Sequence, residues 1–137
     1  MKKIIMALFT MFALFTLLPA FAGEKAGAGK GGSCCASVSN CKDCAKMCED
    51  MLAYCQKKGG KHASAEHIKT LEDCIALCKA CTDFESREST LAPKLHQVCA
   101  EACDKCAKSC ADLKDKKLDD CVAQCKKCAT SCKDSGK

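Results

Sequence analysis

The chain has no tryptophan, one tyrosine and five phenylalanines among its 137 residues. Four of those phenylalanines precede Gly23, which leaves Phe84 as the only one beyond it. Large aliphatic side chains are also sparse there: Leu52, Ile68, Leu71, Ile75, Leu77, Leu91, Leu95, Val98, Leu113, Leu118 and Val122 are the main ones. A helical domain of this length normally needs more apolar bulk than these supply, so another residue type must fill the interior. Lysines and carboxylates are interspersed, with no basic block and almost no aromatic surface, which argues against nucleic-acid binding. No Ser/His/Asp grouping or phosphate-binding loop is visible, so the chain is not expected to be an enzyme.

Long apolar runs are limited to the first segment. Lys2 and Lys3 give a short basic start, Ile4 to Leu18 is almost wholly apolar, and Ala20-Phe21-Ala22 makes a small-x-small cleavage site. This pattern reads as a secretory signal peptide over residues 1–22, too short and wrongly flanked for a stable membrane span. A retained N-terminal anchor is the alternative. The expected destination is the periplasm by a Sec-like route, with no membrane association after cleavage. Residues 23–36 are Gly-rich and without hydrophobic periodicity, and are expected to form a flexible leader.

What the chain does have is cysteine, 17 in all. Free Cys packs as a small hydrophobe, but this number exceeds packing needs and requires a disulfide or metal explanation. Residues 37–134 divide into four units. Ser37 or Ser39 is expected to cap a first helix carrying Cys41, Cys44, Cys48 and Cys55, which Gly59-Gly60 ends. Ser64 caps a second carrying Cys74, Cys78 and Cys81. The polar stretch from Glu85 to Thr90, with Pro93 just beyond, separates it from a third carrying Cys99, Cys103, Cys106 and Cys110. A turn near Lys114 to Lys117 precedes a fourth carrying Cys121, Cys125, Cys128 and Cys132.

Ala, Lys, Leu, Glu and Gln fill the gaps between cysteines and favour helix. In the third and fourth units the offsets 0, 4, 7 and 11 fall at about 0°, +40°, −20° and +20°, an arc of roughly 60°. The first two units give similar arcs. Four helices with such narrow cysteine faces predict an all-α, antiparallel four-helix bundle with a Cys-lined core.

Several chemistries compete for that core. Structural disulfides suit an exported protein, but their Cα separation of about 4.4–6.8 Å is shorter than the usual helix spacing of about 8–10 Å. A continuous stripe also exceeds what a few staples require, and an odd count leaves one thiol unpaired in a monomer. Redox C-x2-C pairs usually sit at an exposed helix N-terminus rather than mid-helix. Iron–sulfur cysteines normally cluster in loops. Zinc prefers discrete four-ligand cages, whereas here every C-x2-C pair is extended by further thiols. Cu(I) accepts two or three thiolates and allows bridging, and one monovalent ion per thiolate leaves a neutral core. Zinc with four thiolates leaves unpaired buried charge, which is costly. Multiple Cu(I) ions held by the fifteen cysteines of the four helices are therefore expected. A disulfide-linked structural or interaction protein and a zinc-binding, metallothionein-like protein are the alternatives.

Softer donors near the bundle ends extend the candidate ligand set to Cys34, Cys35, His67, Met51 and His96. His67 lies about 20° from Cys74 on the second stripe. Met51 and His96 lie just outside their arcs, and Met47 on a flank; packing is the competing reading for the methionines, and solvation for the histidines. Antiparallel helices would gather Cys55, His62 and His67 at one end, and Cys34, Cys35 and His96 at the other. Tyr54, Leu52 and Leu71 read as packing.

The C-x2-C-x3-C at 41–48, the C-x3-C-x2-C at 74–81 and the stripes at 99–110 and 121–132 resemble the bacterial copper storage proteins. The resemblance spans about residues 34–134. It implies a Cys-rich four-helix bundle acting as a Cu(I) reservoir, thiolate ligation along its axis, and a homo-oligomer, most simply a tetramer. It also implies exchange with copper donor or acceptor proteins, buffering copper or holding it for cuproenzymes. Exported relatives typically carry a twin-arginine signal, whereas this chain has Lys2-Lys3.

Overall fold

The computed structural model describes residues 31–137, with side chains described from Ala36 onward. The expected signal peptide and the leader up to residue 30 lie outside the described residues. Four helices follow in order: α1 Gly31–Lys58, α2 Ala65–Ser86, α3 Ala92–Asp112 and α4 Asp119–Ser135. Short 3-10 turns at Gly60–Ala63 and Lys116–Leu118 join α1 to α2 and α3 to α4. Each helix packs on its sequence neighbours and α4 closes back on α1, so the bundle is an antiparallel ring. The described residues contain no strand.

The helix ends follow local chemistry. Gly59 and Gly60 adopt φ of 75° and 59°, left-handed conformations that glycine reaches cheaply, and Gly59 N–H donates to the Cys55 carbonyl at 3.1 Å. Ser64 accepts at its hydroxyl from His67 N–H and caps α2. Pro93 occupies the first turn of α3, where its missing N–H costs nothing. Lys57 and Lys58 close α1 and Asp119 and Asp120 open α4, each of the sign that the helix dipole favours.

One boundary differs from the sequence expectation. The first helix begins at Gly31, not at Ser37 or Ser39, so both serines lie inside it. Ser37 and Asn40 are buried, and the Asn40 side-chain amide donates to Ser131 Oγ of α4 at 2.5 Å while the Asn40 backbone carbonyl accepts from the Gln124 side chain at 3.2 Å. These bonds use polar residues as inter-helix fasteners, which removes the reason to break the helix there.

The interior is sulfur. All fifteen described cysteines are free and buried, none more than 1% exposed. Small alanines (Ala45, Ala100, Ala107, Ala129) flank them, and among the described residues Leu71 and Leu118 are the only leucines with no exposure. Leu91 and Val98, by contrast, face outward at 54% and 49% exposure. The two buried leucines sit beside Cys74 and Cys121, toward the end formed by the α1–α2 and α3–α4 turns.

Candidate metal centre

The four stripes meet along the bundle axis. Cys41 Sγ lies 3.6 Å from Cys132 and 3.7 Å from Cys128. Farther along, Cys44 meets Cys125 at 3.7 Å and Cys74 at 3.9 Å. Cys48 then meets Cys125 at 3.7 Å, Cys106 at 3.8 Å and Cys121 at 3.9 Å. Sulfur contacts cross both diagonals: Cys48 to Cys106 joins α1 with α3, and Cys78 to Cys128, at 3.8 Å, joins α2 with α4.

These separations are far beyond a disulfide bond of about 2.05 Å. They fit shared coordination instead. With metal–sulfur bonds of about 2.3 Å, trigonal ligands stand about 4.0 Å apart and tetrahedral ones about 3.8 Å. The observed sulfurs are thus at ligand spacing before any ion arrives.

Four quartets have all sulfurs within 4.8 Å of one another: Cys41/Cys99/Cys128/Cys132, Cys44/Cys78/Cys103/Cys128, Cys44/Cys48/Cys74/Cys125 and Cys48/Cys106/Cys121/Cys125. They overlap. Cys128 belongs to the first two, Cys44 to the second and third, and Cys48 and Cys125 to the third and fourth. The array is therefore a chain of linked sites rather than four separate cages. Cys110 extends it, 4.0 Å from Cys121.

Protonation is shared across the same contacts. Neighbouring S–H donors, Cys128 first, hold Cys41 well below the ordinary thiol range, and Cys103 does the same first for Cys74. Cys132 is lowered to about 3, chiefly by Cys128. The partners move the other way: Cys128 is pushed up, Cys103 being the largest cause, and Cys125 is pushed up by Cys106 first. A proton donated to a neighbouring thiolate is hard to remove, and a second negative charge beside the first is disfavoured. Cations are what would let all the thiols ionise together.

The histidines divide between the ends. His67, on the second stripe, is buried, with Nε2 3.5 Å from Cys55 Sγ and Nδ1 2.7 Å from Ser109 Oγ. Burial, then the nearby His62, lowers its pKa, which favours the neutral ring a metal requires. His67 also borders a small surface pocket with Ser64, Glu66, Ser109 and Asp112. Cys55 is raised first by its burial. His62 does not join them. Its Nε2 lies 2.9 Å from Asp115, whose carboxylate also accepts from Tyr54 Oη at 2.8 Å and Lys58 Nζ at 2.5 Å. Tyr54 therefore bonds as well as packs.

At the opposite end His96 is wholly buried, with Nε2 2.6 Å from Glu85 Oε1. The Cys132 sulfur, then the Glu85 carboxylate, push its pKa up to about 9 against the effect of burial. One ring nitrogen of His96 groups with Cys41 and Cys81 within 4.8 Å. Met51 is nearly buried within the sulfur core, and Met47 packs against it. Cys34 and Cys35 fall in the first turns of α1, and their side chains lie outside the described residues.

Sequence reasoning missed Ser109 and Glu85, the two residues that hold the buried imidazoles. Ser109 stands next to Cys110 on the edge of the third stripe, a position that helical angles alone would have exposed. Glu85 reaches His96 only because the α2–α3 turn folds back, and spacing carries no sign of that.

The profile of the copper storage protein family matches residues 32–136. A solved structure of a protein from Nitrosospira multiformis is similar, with 33% identity, a TM-score of 0.72, and coverage of 76% of this chain and 94% of that one. The Cu(I)-bound copper storage protein BsCsp3 shares the fold at 21% identity and a TM-score of 0.72, over 77% of this chain and 99% of its own. No curated protein sequence matches significantly. On the strength of a match across nearly all the described residues, this chain belongs to the copper storage protein family.

Proposed function

We propose that this protein binds and stores multiple Cu(I) ions through the thiolates of its core, without catalysis. The observation that carries this reading is the overlap of the quartets through Cys44, Cys48, Cys125 and Cys128. Shared thiolates suit a monovalent soft ion that accepts two or three sulfur ligands. About one Cu(I) per thiolate also leaves the dry interior near neutrality, whereas a divalent ion in each four-thiolate site would leave excess negative charge. A similar protein of the same fold has been captured with Cu(I), which supports copper over other soft ions.

The basic and apolar N-terminal sequence supports export to the periplasm by a Sec-like route. There the protein would buffer copper or hold it for cuproenzymes, exchanging with donor and acceptor proteins as a homo-oligomer, most simply a tetramer.

Anaerobic titration of the reduced protein with Cu(I), read against a Cu(I)-specific chelator, tests the storage role. Uptake of about one ion per core cysteine is the expected result. Saturation near one ion per four cysteines would instead assign zinc-type cages. Freshly isolated protein with few free thiols and no copper would point to a disulfide-linked structural role.

A further inference from the structure

Among the described residues, the hydrogen bonds that leave the α3–α4 turn for α1 or the Gly60–Ala63 turn all end on one atom, Asp115 Oδ2. Tyr54 Oη donates to it at 2.8 Å, Lys58 Nζ at 2.5 Å and His62 Nε2 at 2.9 Å. The turn's other hydrogen bonds are local. Asp115 Oδ1 accepts from Lys117 N–H at 3.0 Å, and the N–H groups of Leu113, Lys114 and Leu118 donate to the carbonyls of Cys110, Ala111 and Asp115. Lys114 has φ of 52°, a left-handed conformation that a side chain makes costly and that persists only where its surroundings hold it. The turn also spans one end of the sulfur array. It leaves α3 after Cys110 and enters α4 before Cys121, two sulfurs 4.0 Å apart, and its last residue, Leu118, is wholly buried. On α1 the donors Tyr54 and Lys58 stand on either side of Cys55 in the chain.

We propose that residues 113–118 form a lid over this end of the array, latched by Asp115, and that opening it admits a thiol-bound carrier of Cu(I) to Cys55, Cys110 and Cys121. The lid is a property of the fold; its use for copper rests on the storage reading and deepens it. Loading a sealed sulfur core requires a way in, because every described thiol is at most 1% exposed. Fraying a helix to make one would break a whole turn of backbone hydrogen bonds. Swinging this turn outward gives up only the three bonds at Asp115 Oδ2 and the burial of Leu118, and it relieves Lys114. One carboxylate oxygen is thus the point on which the closed state depends. Its charge-assisted bonds close the lid without using a thiol, so the closure can be weakened while the array keeps all its sulfurs.

Brief alkylation of the reduced, metal-free protein, followed by peptide mapping, reads the opening without copper. Cys55, Cys110 and Cys121 should be modified before Cys41, Cys81 and Cys99 toward the opposite end. Asp115→Ala should speed modification of the first three roughly 10-fold and leave the other three unchanged. Tyr54→Phe removes a single donor and should give a smaller increase at the same three, so it carries the test if Asp115→Ala fails to fold. Asn40→Ala, which loses the bond to Ser131 elsewhere in the bundle, should not reproduce the pattern. With Cu(I) supplied anaerobically as its glutathione complex, Asp115→Ala should fill the array faster and to the same capacity as wild type. Wild-type modification that begins at Cys41, Cys81 and Cys99, or an Asp115→Ala effect equal at both ends, would overturn the lid. Uptake no faster in Asp115→Ala would overturn its role as the entrance. No uptake by any variant, with the labelling pattern as expected, would overturn storage and leave the lid standing.

Discussion

Cys128 takes part in two quartets, with Cys41, Cys99 and Cys132 on one side and Cys44, Cys78 and Cys103 on the other. Among the described residues, Cys55 has only His67 as a close polar partner of its sulfur. Removing one thiol should therefore have unequal effects. Cys128→Ser is expected to lower Cu(I) capacity by about two ions per chain and Cys55→Ser by at most about one, measured by anaerobic titration of folded protein. Leu71 tests the apolar remainder. It is fully buried in a core with little other aliphatic bulk, so Leu71→Ala should cost about 2–5 kcal/mol in denaturant unfolding of the metal-free protein. Residues on the stripes were legible in the sequence because a helix repeats its faces regularly, and all fifteen stripe cysteines are buried. The orienting partners were not, since Ser109 and Glu85 act through tertiary proximity.

The connections between helices carry their own chemistry. Asp115, in the α3–α4 turn, ties that turn to the end of α1 through Tyr54 and Lys58 and to the Gly60–Ala63 turn through His62. Its pKa is lowered, Lys58 being the largest cause. A carboxylate held below its unfolded value stabilises the fold above that value and loses the contribution as acid protonates it. Asp115→Asn should thus be less stable than wild type at neutral pH. The gap should begin to narrow as pH falls below about 4 and go on shrinking through more acidic solution, seen as converging urea midpoints of the metal-free proteins. At Gly59 the constraint is purely conformational: a Cβ there meets nothing within 4 Å, yet φ is 75°. Gly59→Ala should cost about 1–2 kcal/mol with no change in copper capacity. Helix ends were legible where glycine, proline or a capping serine punctuates the chain. The start of α1 was not, because Ser37 and Asn40 have cap chemistry but are buried, and Asn40 spends its side chain on a bond to Ser131 of α4.

For the molecule as a whole, one set of side chains is both interior and binding site. The ring of four antiparallel helices was readable because a three-four repeat of one residue type leaves a single way to enclose its face. That economy couples capacity to stability. Each ion that binds the folded array but not the unfolded chain adds about 2.7 kcal/mol when free metal is 100 times the dissociation constant. Copper loading should therefore raise the melting temperature progressively with each equivalent, and a Cu(I)-specific chelator should reverse the rise; calorimetry on graded samples checks both.

The burial of the sulfurs has a consequence for timing. With every described thiol at most 1% exposed, a competing ligand in solution has almost no sulfur to attack in the closed bundle. An ion deep in the array leaves by passing from thiolate to thiolate, or when a helix end opens and admits the competitor. Residence time is then set by how often the protein breathes, and two variants of equal affinity can release copper at very different rates.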